Sequence, residues 1–137
     1  MERRAINPVD WGLQFHMNQA ELVQGMTKVL HCSGQTAIVP DANAEMGVSI
    51  AHVGDMRGQI QASLAAIDAL LEEAGMTRAN LLSLRFFTTD IDGFLGAYDA
   101  YVEWIAPSGT MPPQSLLGVN RLAFPELLVE IEAVAGA

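Results

Sequence analysis

One stretch of the chain, residues 55–74, constrains the fold most, because its apolar residues recur with the period of an α-helix. They are spaced by four, four, three, four and three positions and are Met56, Ile60, Leu64, Ile67, Leu71 and Ala74. This spacing places all of them on one face of a helix. Asp55 lies at the helix end that favours negative charge, and Gly75 is a natural C-terminal stop. The sequence therefore predicts one long amphipathic helix.

Strands are predicted before this helix. Residues 28–33 favour a short strand that ends at Gly34, and residues 21–24 are expected to pair with it across Gly25-Met26. Residues 40–54 contain proline, aspartate, asparagine and glycine, which are typical of a loop.

The second half of the chain is predicted to add a helix and three strands. Residues 81–89 are rich in leucine, phenylalanine and threonine, which favours a strand. Asp92 is the expected N-cap of the second helix, which ends before Pro107. Residues 115–119 and 127–134 are predicted to be the last two strands.

The predicted order is strand, strand, helix, strand, helix, strand, strand, which describes one α+β domain over residues 1–137. Crossovers between parallel strands turn right-handed, so both helices should cover the same face of a mixed sheet. The other sheet face is then left uncovered. If that face is apolar it cannot remain in water, so we expect it to form an interface.

Alternation along residues 81–89 indicates what the uncovered face carries. The side predicted to face the helices consists of Leu82, Leu84, Phe86 and Thr88. The opposite side consists of Leu81, Ser83, Arg85, Phe87 and Thr89. This second set combines apolar area with a hydroxyl and a guanidinium, as an oligomer interface that contains a pocket would. The alternative is that Arg85 is simply a solvated or ion-paired side chain.

The charge balance argues against several partners. The formal net charge is −9, with only seven lysines and arginines, whereas nucleic-acid binding needs clustered positive charge. Arg3-Arg4 is the one adjacent basic pair, and we expect it at a frayed end. No apolar run approaches the roughly 20 residues that span a bilayer, and the N-terminus does not resemble a secretory signal. We therefore expect a cytoplasmic protein with neither nucleic-acid nor membrane partners.

No metal or cofactor site is predicted. His16, His31 and His52 show no metal-ligand spacing with one another or with Cys32. Cys32, beside Ser33, could act as a nucleophile, although a small buried thiol is the commoner case. A single cysteine cannot form an internal disulfide, which fits a reducing compartment.

Three segments carry motifs that point to a family. Ser33-Gly34-Gln35 follows a predicted strand, and residues 86–101 contain a Phe-Phe-Thr-Thr-Asp run followed by Phe94, Tyr98 and Tyr101. The most specific is the C-terminal signature, which comprises Thr110-Met111-Pro112-Pro113-Gln114-Ser115, Leu116–Leu122 and Val129–Ala135. From about residue 30 onward, these motifs resemble those of the YjgF/RidA family of small imine/enamine deaminases.

The resemblance implies a chorismate-mutase-like fold of the bacillus type, a mixed β-sheet with two helices on one face, assembled as a homotrimer. Its small-molecule pockets would lie between neighbouring subunits. In the deaminating members a glutamate of the last strand positions the attacking water, and the corresponding residue here is Glu130, the candidate catalytic residue. The candidate substrate-binding residues are Gln114, Ser33, Gly34, Arg85, Phe87 and Ser115.

The sequence departs from the family pattern at Gln114, where the deaminases carry an arginine that grips the substrate carboxylate. Glutamine is uncharged and cannot reproduce the two-pronged guanidinium contact. Loss of a charged hydrogen bond worth about 1.5–3 kcal/mol would slow the reaction about 10- to 100-fold. Arg85 is a possible replacement cation, and Leu116 stands where a cysteine is frequent. Trp11, Phe15 and His16 are the N-terminal candidates for an aromatic near the pocket.

Two functions follow from this departure. One is hydrolysis of an imine, an enamine or a related reactive intermediate, in which Glu130 orients water and Gln114 contacts a neutral group. The other is a trimer that binds a small ligand or acts as a scaffold without catalysis.

Overall fold

The computed structural model describes residues 1–137 as strands and helices joined by short connections. The strands are β1 (Glu2–Ile6), β2 (Ala20–Gln24), β3 (Val29–Gln35), β4 (Ile38–Pro40), β5 (Val48–Ile50), β6 (Leu81–Thr88), β7 (Gln114–Gly118) and β8 (Val129–Gly136). The α-helices are α1 (Met56–Glu73), α2 (Ile91–Gly96) and α3 (Asp99–Ile105). Short 3₁₀ turns lie at Trp11–Phe15, Arg78–Asn80 and Ala106–Ser108. No helix is both long and apolar enough to cross a bilayer.

A four-stranded mixed sheet, in the order β3-β8-β6-β7, forms the centre of the fold. β6 and β7 are parallel, whereas β8 runs antiparallel to both of its neighbours. The pairs β1–β2 and β4–β5 form two separate antiparallel hairpins. The predicted α+β fold with a mixed sheet is therefore confirmed.

The long helix predicted from its apolar spacing is present as α1. The Asp55 carboxylate caps it by accepting a hydrogen bond from the Gly58 N–H at 3.0 Å. Gly75 follows the helix with φ +71°, a left-handed conformation that glycine adopts without steric cost. The four aliphatic side chains that are completely buried are Ile60, Leu64, Ile67 and Leu71. They are members of the predicted apolar face, so the period of the sequence identified the buried side of α1 correctly.

The hydrophobic core lies between the helices and one face of the sheet. Along β8 the buried residues alternate with half-buried ones, which places Val129 and Ile131 on the helix side. The Phe86 ring of β6 contacts Phe94 of α2 and Tyr101 of α3, with ring centroids 5.2 and 5.1 Å apart. Aromatic pairs at these distances add to the stability gained from buried area. In the single chain, the opposite sheet face has no such layer.

The second helix differs from its prediction at both its start and its middle. Asp90, and not Asp92, is the N-cap, and its side chain accepts from the Gly93 N–H at 2.9 Å. The Asp90 N–H is held in turn by the Thr88 hydroxyl, so the cap directly follows the end of β6. The predicted single helix is divided into α2 and α3 at residues 97–98, just after Gly96, a residue of low helix propensity.

The prediction that β2 pairs with β3 was wrong. β2 pairs with β1, in a register that sets Arg3 opposite Val23. Arg3 is not at a frayed end, because its guanidinium binds the Glu21 carboxylate at 2.7 Å and the carbonyls of Ala79 and Leu81. These contacts between distant parts of the chain fix the N-terminal hairpin, and no local turn signal reports them.

Two smaller expectations also need correction. The region predicted to be a loop contains a short hairpin, in which Val39 pairs with Ser49. On β6, Leu81 is completely buried whereas Leu82 is half-buried, the reverse of the predicted alternation. The cause is a register shift between Leu81 and Ser83 opposite β8. Such a bulge exchanges the two sides of a strand at one point.

Candidate functional site

The uncovered face of the sheet is the side of β6, β7 and β8 that points away from the helices. It carries Ser83, Arg85, Phe87, Ser115, Leu117, Glu130, Glu132 and Val134. Glu130 pairs across the strands with Phe87, and Glu132 with Arg85, which in turn pairs with Ser115. Four predicted site residues therefore share this face: Glu130, Arg85, Phe87 and Ser115.

Glu130 lies directly against Gly34 of the neighbouring strand β3. A Cβ atom built on Gly34 would stand 2.4 Å from Glu130 Cδ and 2.5 Å from Oε2, so a side chain at residue 34 would force the Glu130 carboxylate to move. β3 bulges between Cys32 and Gln35, so Ser33 and Gly34 form the irregular segment that receives the carboxylate. The predicted S-G-Q motif and the predicted glutamate are thus brought together within one chain.

The electrostatic surroundings of Glu130 favour its neutral form. Partial burial, and after it the negative charge of Glu132, raise the pKa of the Glu130 carboxyl above its usual value. Both causes penalise the ionised carboxylate. A carboxyl in this situation is suited to hold and release a proton closer to neutral pH than an exposed glutamate.

Within one chain Arg85 does not lie beside Gln114. Its guanidinium lies 3.8 Å from the Glu132 carboxylate, and 68% of its side chain is exposed. It projects from the uncovered face, whereas Gln114 lies on the helix side of the sheet. The ion-paired alternative for Arg85 therefore describes the single chain, and its part as a replacement cation in a pocket between subunits stays a prediction.

Gln114 begins β7 and faces the helices. It pairs with Leu84, and the next residue on the same side, Leu116, pairs with Phe86; both of these β6 partners are buried in the core. Gln114 lies at one wall of a cavity of about 280 Å³, which we call the Gln114 cavity. The remaining lining residues are Trp11, Phe15, Met17, Phe86, Phe94, Leu95, Tyr98 and Leu116.

A chain of hydrogen bonds holds the Gln114 amide. Gln114 Nε2 donates to the Tyr98 hydroxyl, and this hydroxyl donates to the Phe15 carbonyl at 2.5 Å. Burial raises the pKa of Tyr98 to about 12, a shift that the hydrogen bond from Gln114 partly offsets. Gln114 Oε1 is buried and has no hydrogen-bond partner. The cavity thus contains one amide whose nitrogen is engaged and whose oxygen is not.

The N-terminal 3₁₀ turn supplies two of the aromatic residues of this cavity. Trp11 and Phe15 line it, and their rings meet edge to face, with centroids 6.2 Å apart. His16, the third candidate, is not among the lining residues. Sequence reasoning missed the part played by Tyr98, although Tyr98 belongs to the motif that carried the family resemblance. Its spacing from Phe94 and Tyr101 on a helical face was the available signal.

Within one chain the two halves of the predicted site stay apart. Glu130 and Gly34 lie on the uncovered side of the sheet, whereas Gln114 and its cavity lie on the helix side at the edge strand β7. No group of three or more His, Cys, Asp or Glu side chains is arranged to hold a metal ion. The Cys32 thiol is buried, and burial raises its pKa, so it is held as the protonated thiol.

Comparison with known proteins gives consistent results. Residues 17–137 match the family model described as Endoribonuclease L-PSP. A RutC family protein of Aquifex aeolicus is 30% identical over 118 residues, which are 86% of each chain. The crystal structure of YyfB from Yersinia pestis, a Rid-family protein of unknown function, superposes with a TM-score of 0.83 at 33% identity and covers all of both chains. TdcF from E. coli, solved with bound serine, has a TM-score of 0.67 at 25% identity over 97% of this chain and 91% of that one.

Proposed function

This chain is a member of the YjgF/RidA family, and from that membership we propose that it forms a homotrimer that binds a small organic molecule beside Gln114. The observation that carries the proposal is the lining of the Gln114 cavity, which consists of eight hydrophobic side chains and one uncharged amide. An apolar cavity with one fixed polar group is the usual composition of a small-molecule site. The same lining opposes the binding of a carboxylate, so 2-imino acids are not the proposed substrates.

The trimer is part of the proposal because a single chain separates Gln114 from Glu130. β7 is an edge strand whose outer side is unpaired, and its Leu117 side chain is 40% exposed on the uncovered face. Packing of this face against a second copy would cover it, and a copy that also passes the unpaired edge of β7 would bring its Glu130 toward the cavity rim. Sedimentation at micromolar concentration is expected to give a particle of about three times the 14.7 kDa chain mass. A monomer would contradict the shared pocket.

Within this proposal, the catalytic alternative assigns Glu130 to hydrolysis of an imine, an enamine or a related reactive intermediate. Its raised pKa and its fixed position on Gly34 support a part in moving a proton or orienting water. Ser33 and Gly34 would then contribute to the wall beside Glu130, and Phe87 would pack next to it. No metal or cofactor is needed for hydrolysis of this kind.

Ammonia release from imines, generated in situ by an amino-acid oxidase, tests the reaction. Wild-type protein is expected to release ammonia from 2-imino acids at least about 10- to 100-fold more slowly than a protein with arginine at residue 114, because nothing beside residue 114 neutralises their carboxylate. Gln114→Arg is the informative variant in the same assay. If it releases ammonia and Gln114→Arg/Glu130→Gln does not, Glu130 and its surroundings are competent for the chemistry.

A non-catalytic binding or scaffold trimer is the second candidate, favoured by the absence of charge in the Gln114 cavity. Failure of Gln114→Arg to release ammonia, combined with ligand binding by the wild type, would select this candidate. Nucleic acid is not a proposed ligand despite the endoribonuclease description of the family model. The net charge is −9, and the guanidinium groups of Arg3, Arg57, Arg78 and Arg85 are each paired with a carboxylate.

A further inference from the structure

We infer that the Gln114 cavity selects neutral apolar molecules that carry an O–H or N–H group, with Gln114 Oε1 as the acceptor for that group. The inference deepens the proposed function, since it requires that the cavity bind a ligand. The hydrogen-bonding character of residue 114 is then reversed. An arginine there can only donate hydrogen bonds, whereas a glutamine fixed in this orientation presents an acceptor.

The orientation of the Gln114 amide follows from the donors and acceptors around it. The Phe15 carbonyl can only accept, so the single proton of the Tyr98 hydroxyl is committed to it at 2.5 Å. The hydroxyl oxygen must therefore accept from residue 114, which requires that Nε2 point toward Tyr98. If the amide turned over, Oε1 would face the Tyr98 oxygen with no proton between them. Tyr98 is thus a positioning residue for Gln114.

Ionisation of Tyr98 would break this arrangement, but it does not occur near neutral pH. The pKa of Tyr98 is raised to about 12 by burial, so the hydroxyl keeps its proton throughout the physiological range. No other ionisable side chain lines the cavity. The acceptor character of residue 114 is therefore independent of pH over that range.

The acceptor oxygen is left without a partner in the isolated chain. Gln114 Oε1 is inaccessible to a water-sized sphere and receives no hydrogen bond. A buried acceptor in this state is destabilised relative to one in water. Because the oxygen has no accessible surface, a ligand donor reaches it only when a lining side chain moves aside. The donor then gains a hydrogen bond without displacing water from the oxygen, whereas a carboxylate or an ether oxygen would be repelled.

The size and walls of the cavity fit a single aromatic ring. Its volume of about 280 Å³ exceeds the ~150 Å³ cavity that admits benzene in other proteins. The rings of Phe15 and Phe94 and the side chain of Leu116 supply apolar contact. Trp11, on the short 3₁₀ turn, is the most exposed lining side chain at 58%. We expect the Trp11 indole to turn aside as a ligand approaches Oε1, so it reports on binding.

Three probes that share one ring test the selectivity: phenol, which has a donor; anisole, which has only an acceptor; and benzoate, which is charged. Each is titrated into the full-length protein, and the indole N–H resonance of Trp11 is followed by NMR. Trp104, which bonds to Asp68 away from the cavity, is the internal reference. Phenol is expected to bind about tenfold more tightly than anisole, as one hydrogen bond allows, and benzoate is expected to bind more weakly still.

Two matched variants separate positioning from packing. Tyr98→Phe keeps the ring but releases the amide, so phenol and anisole should bind with nearly equal affinity. Tyr101→Phe removes a buried hydroxyl that has no hydrogen bond, from a ring whose centroid lies 5.6 Å from that of Tyr98. The wild-type preference should persist in it.

The outcomes distinguish this inference from the proposal on which it rests. If phenol and anisole shift the Trp11 resonance with equal affinity in the wild type, or if benzoate binds best, the acceptor role of Gln114 is wrong and the cavity remains a binding site. A preference for phenol that survives Tyr98→Phe would overturn the positioning role of Tyr98. If none of the three probes shifts the resonance up to its solubility limit, both the selectivity and cavity binding are wrong.

Discussion

The position of the Glu130 carboxylate depends on the missing side chain of Gly34. The two residues lie on neighbouring strands, and the space that a Cβ would occupy is filled by Glu130 Cγ, Cδ and Oε2. Because the φ angle of Gly34 is not in the left-handed region, the backbone itself would accept alanine. Glycine is therefore required at residue 34 because it leaves room for the Glu130 carboxylate, and not because of the backbone conformation.

Gly34→Ala is expected to move the Glu130 carboxylate outward with little loss of stability. The clashing atoms belong to the far end of a flexible side chain, which can rotate away. We expect the free energy of unfolding to change by less than about 1 kcal/mol, while the pKa of Glu130 returns toward its usual value as the carboxyl becomes hydrated. NMR titration of the Glu130 side chain measures this. An unchanged titration would mean that Gly34 does not determine where the carboxyl lies.

The raised pKa of Glu130 also predicts a pH dependence of stability. Between the unfolded and the higher folded pKa, the native state binds more protons, so wild-type stability falls as pH rises through that window. Glu130→Gln removes this loss. The free energy of unfolding of Glu130→Gln, measured with urea, should exceed that of the wild type by more at pH 8 than at pH 4.

At the scale of elements, single side chains determine where a helix begins and where a hairpin lies. Asp90 begins α2 because the strand before it ends at Thr88, whose hydroxyl accepts the Asp90 N–H. Arg3 fixes the N-terminal hairpin through Glu21 and through carbonyls at the start of β6. Both sets of hydrogen bonds join residues that are close in space. In the case of Arg3, the bonded residues are also far apart in sequence.

The two candidate caps of α2 can be compared directly. Asp90→Ala removes the hydrogen bond to the Gly93 N–H and should lower the free energy of unfolding by about 1 kcal/mol. Asp92→Ala, in the first turn, loses only a weak interaction with the helix dipole and should cost a few tenths of that. Chemical denaturation of both variants gives the comparison. Equal losses would contradict the assignment of Asp90 as the cap.

The adjacent pair Arg3 and Arg4 provides a second matched test. Arg3 is bound to Glu21 and to two carbonyls with 17% of its side chain exposed, whereas Arg4 is exposed. Arg3→Met should destabilise the protein by about 1.5–3 kcal/mol, because charged hydrogen bonds are lost and Glu21 is left unpaired. Arg4→Met should change stability by less than about 0.5 kcal/mol. Thermal unfolding that ranks the two variants equally would be inconsistent with an anchored N-terminus.

These elements also show what the sequence could and could not predict. The period of α1 was visible because it repeats over many residues, and burial follows such a repeat. The pairing of β2 with β1 was not visible, because it depends on bonds from Arg3 to residues more than 70 positions away. The side of the sheet on which Gln114 lies was equally hidden. It depends on the parallel register between β6 and β7, to which no local motif corresponds.

At the scale of the whole molecule, the candidate site is divided by the sheet. Glu130 and its glycine occupy one side and the Gln114 cavity the other, so a single chain cannot place both against one small ligand. The proposed trimer and a pocket that contains both Glu130 and Gln114 are therefore parts of one hypothesis. An interface on the uncovered face would bury Leu117 and Phe87 while the charges of Arg85 and Glu132 remain paired with each other.

Leu117→Glu tests this hypothesis by placing a charge on the proposed interface. Leu117 lies opposite Phe87 on the uncovered face, and an unpaired carboxylate buried there would disfavour association. We expect the trimer to dissociate to folded monomers in sedimentation, with circular dichroism unchanged, because the side chain is outside the core. Ala65→Glu, an exposed position on α1, adds the same charge away from the sheet and should leave the trimer intact. If Leu117→Glu remains trimeric, the subunits meet through another surface, and Glu130 of one chain is not the partner of Gln114 in the next.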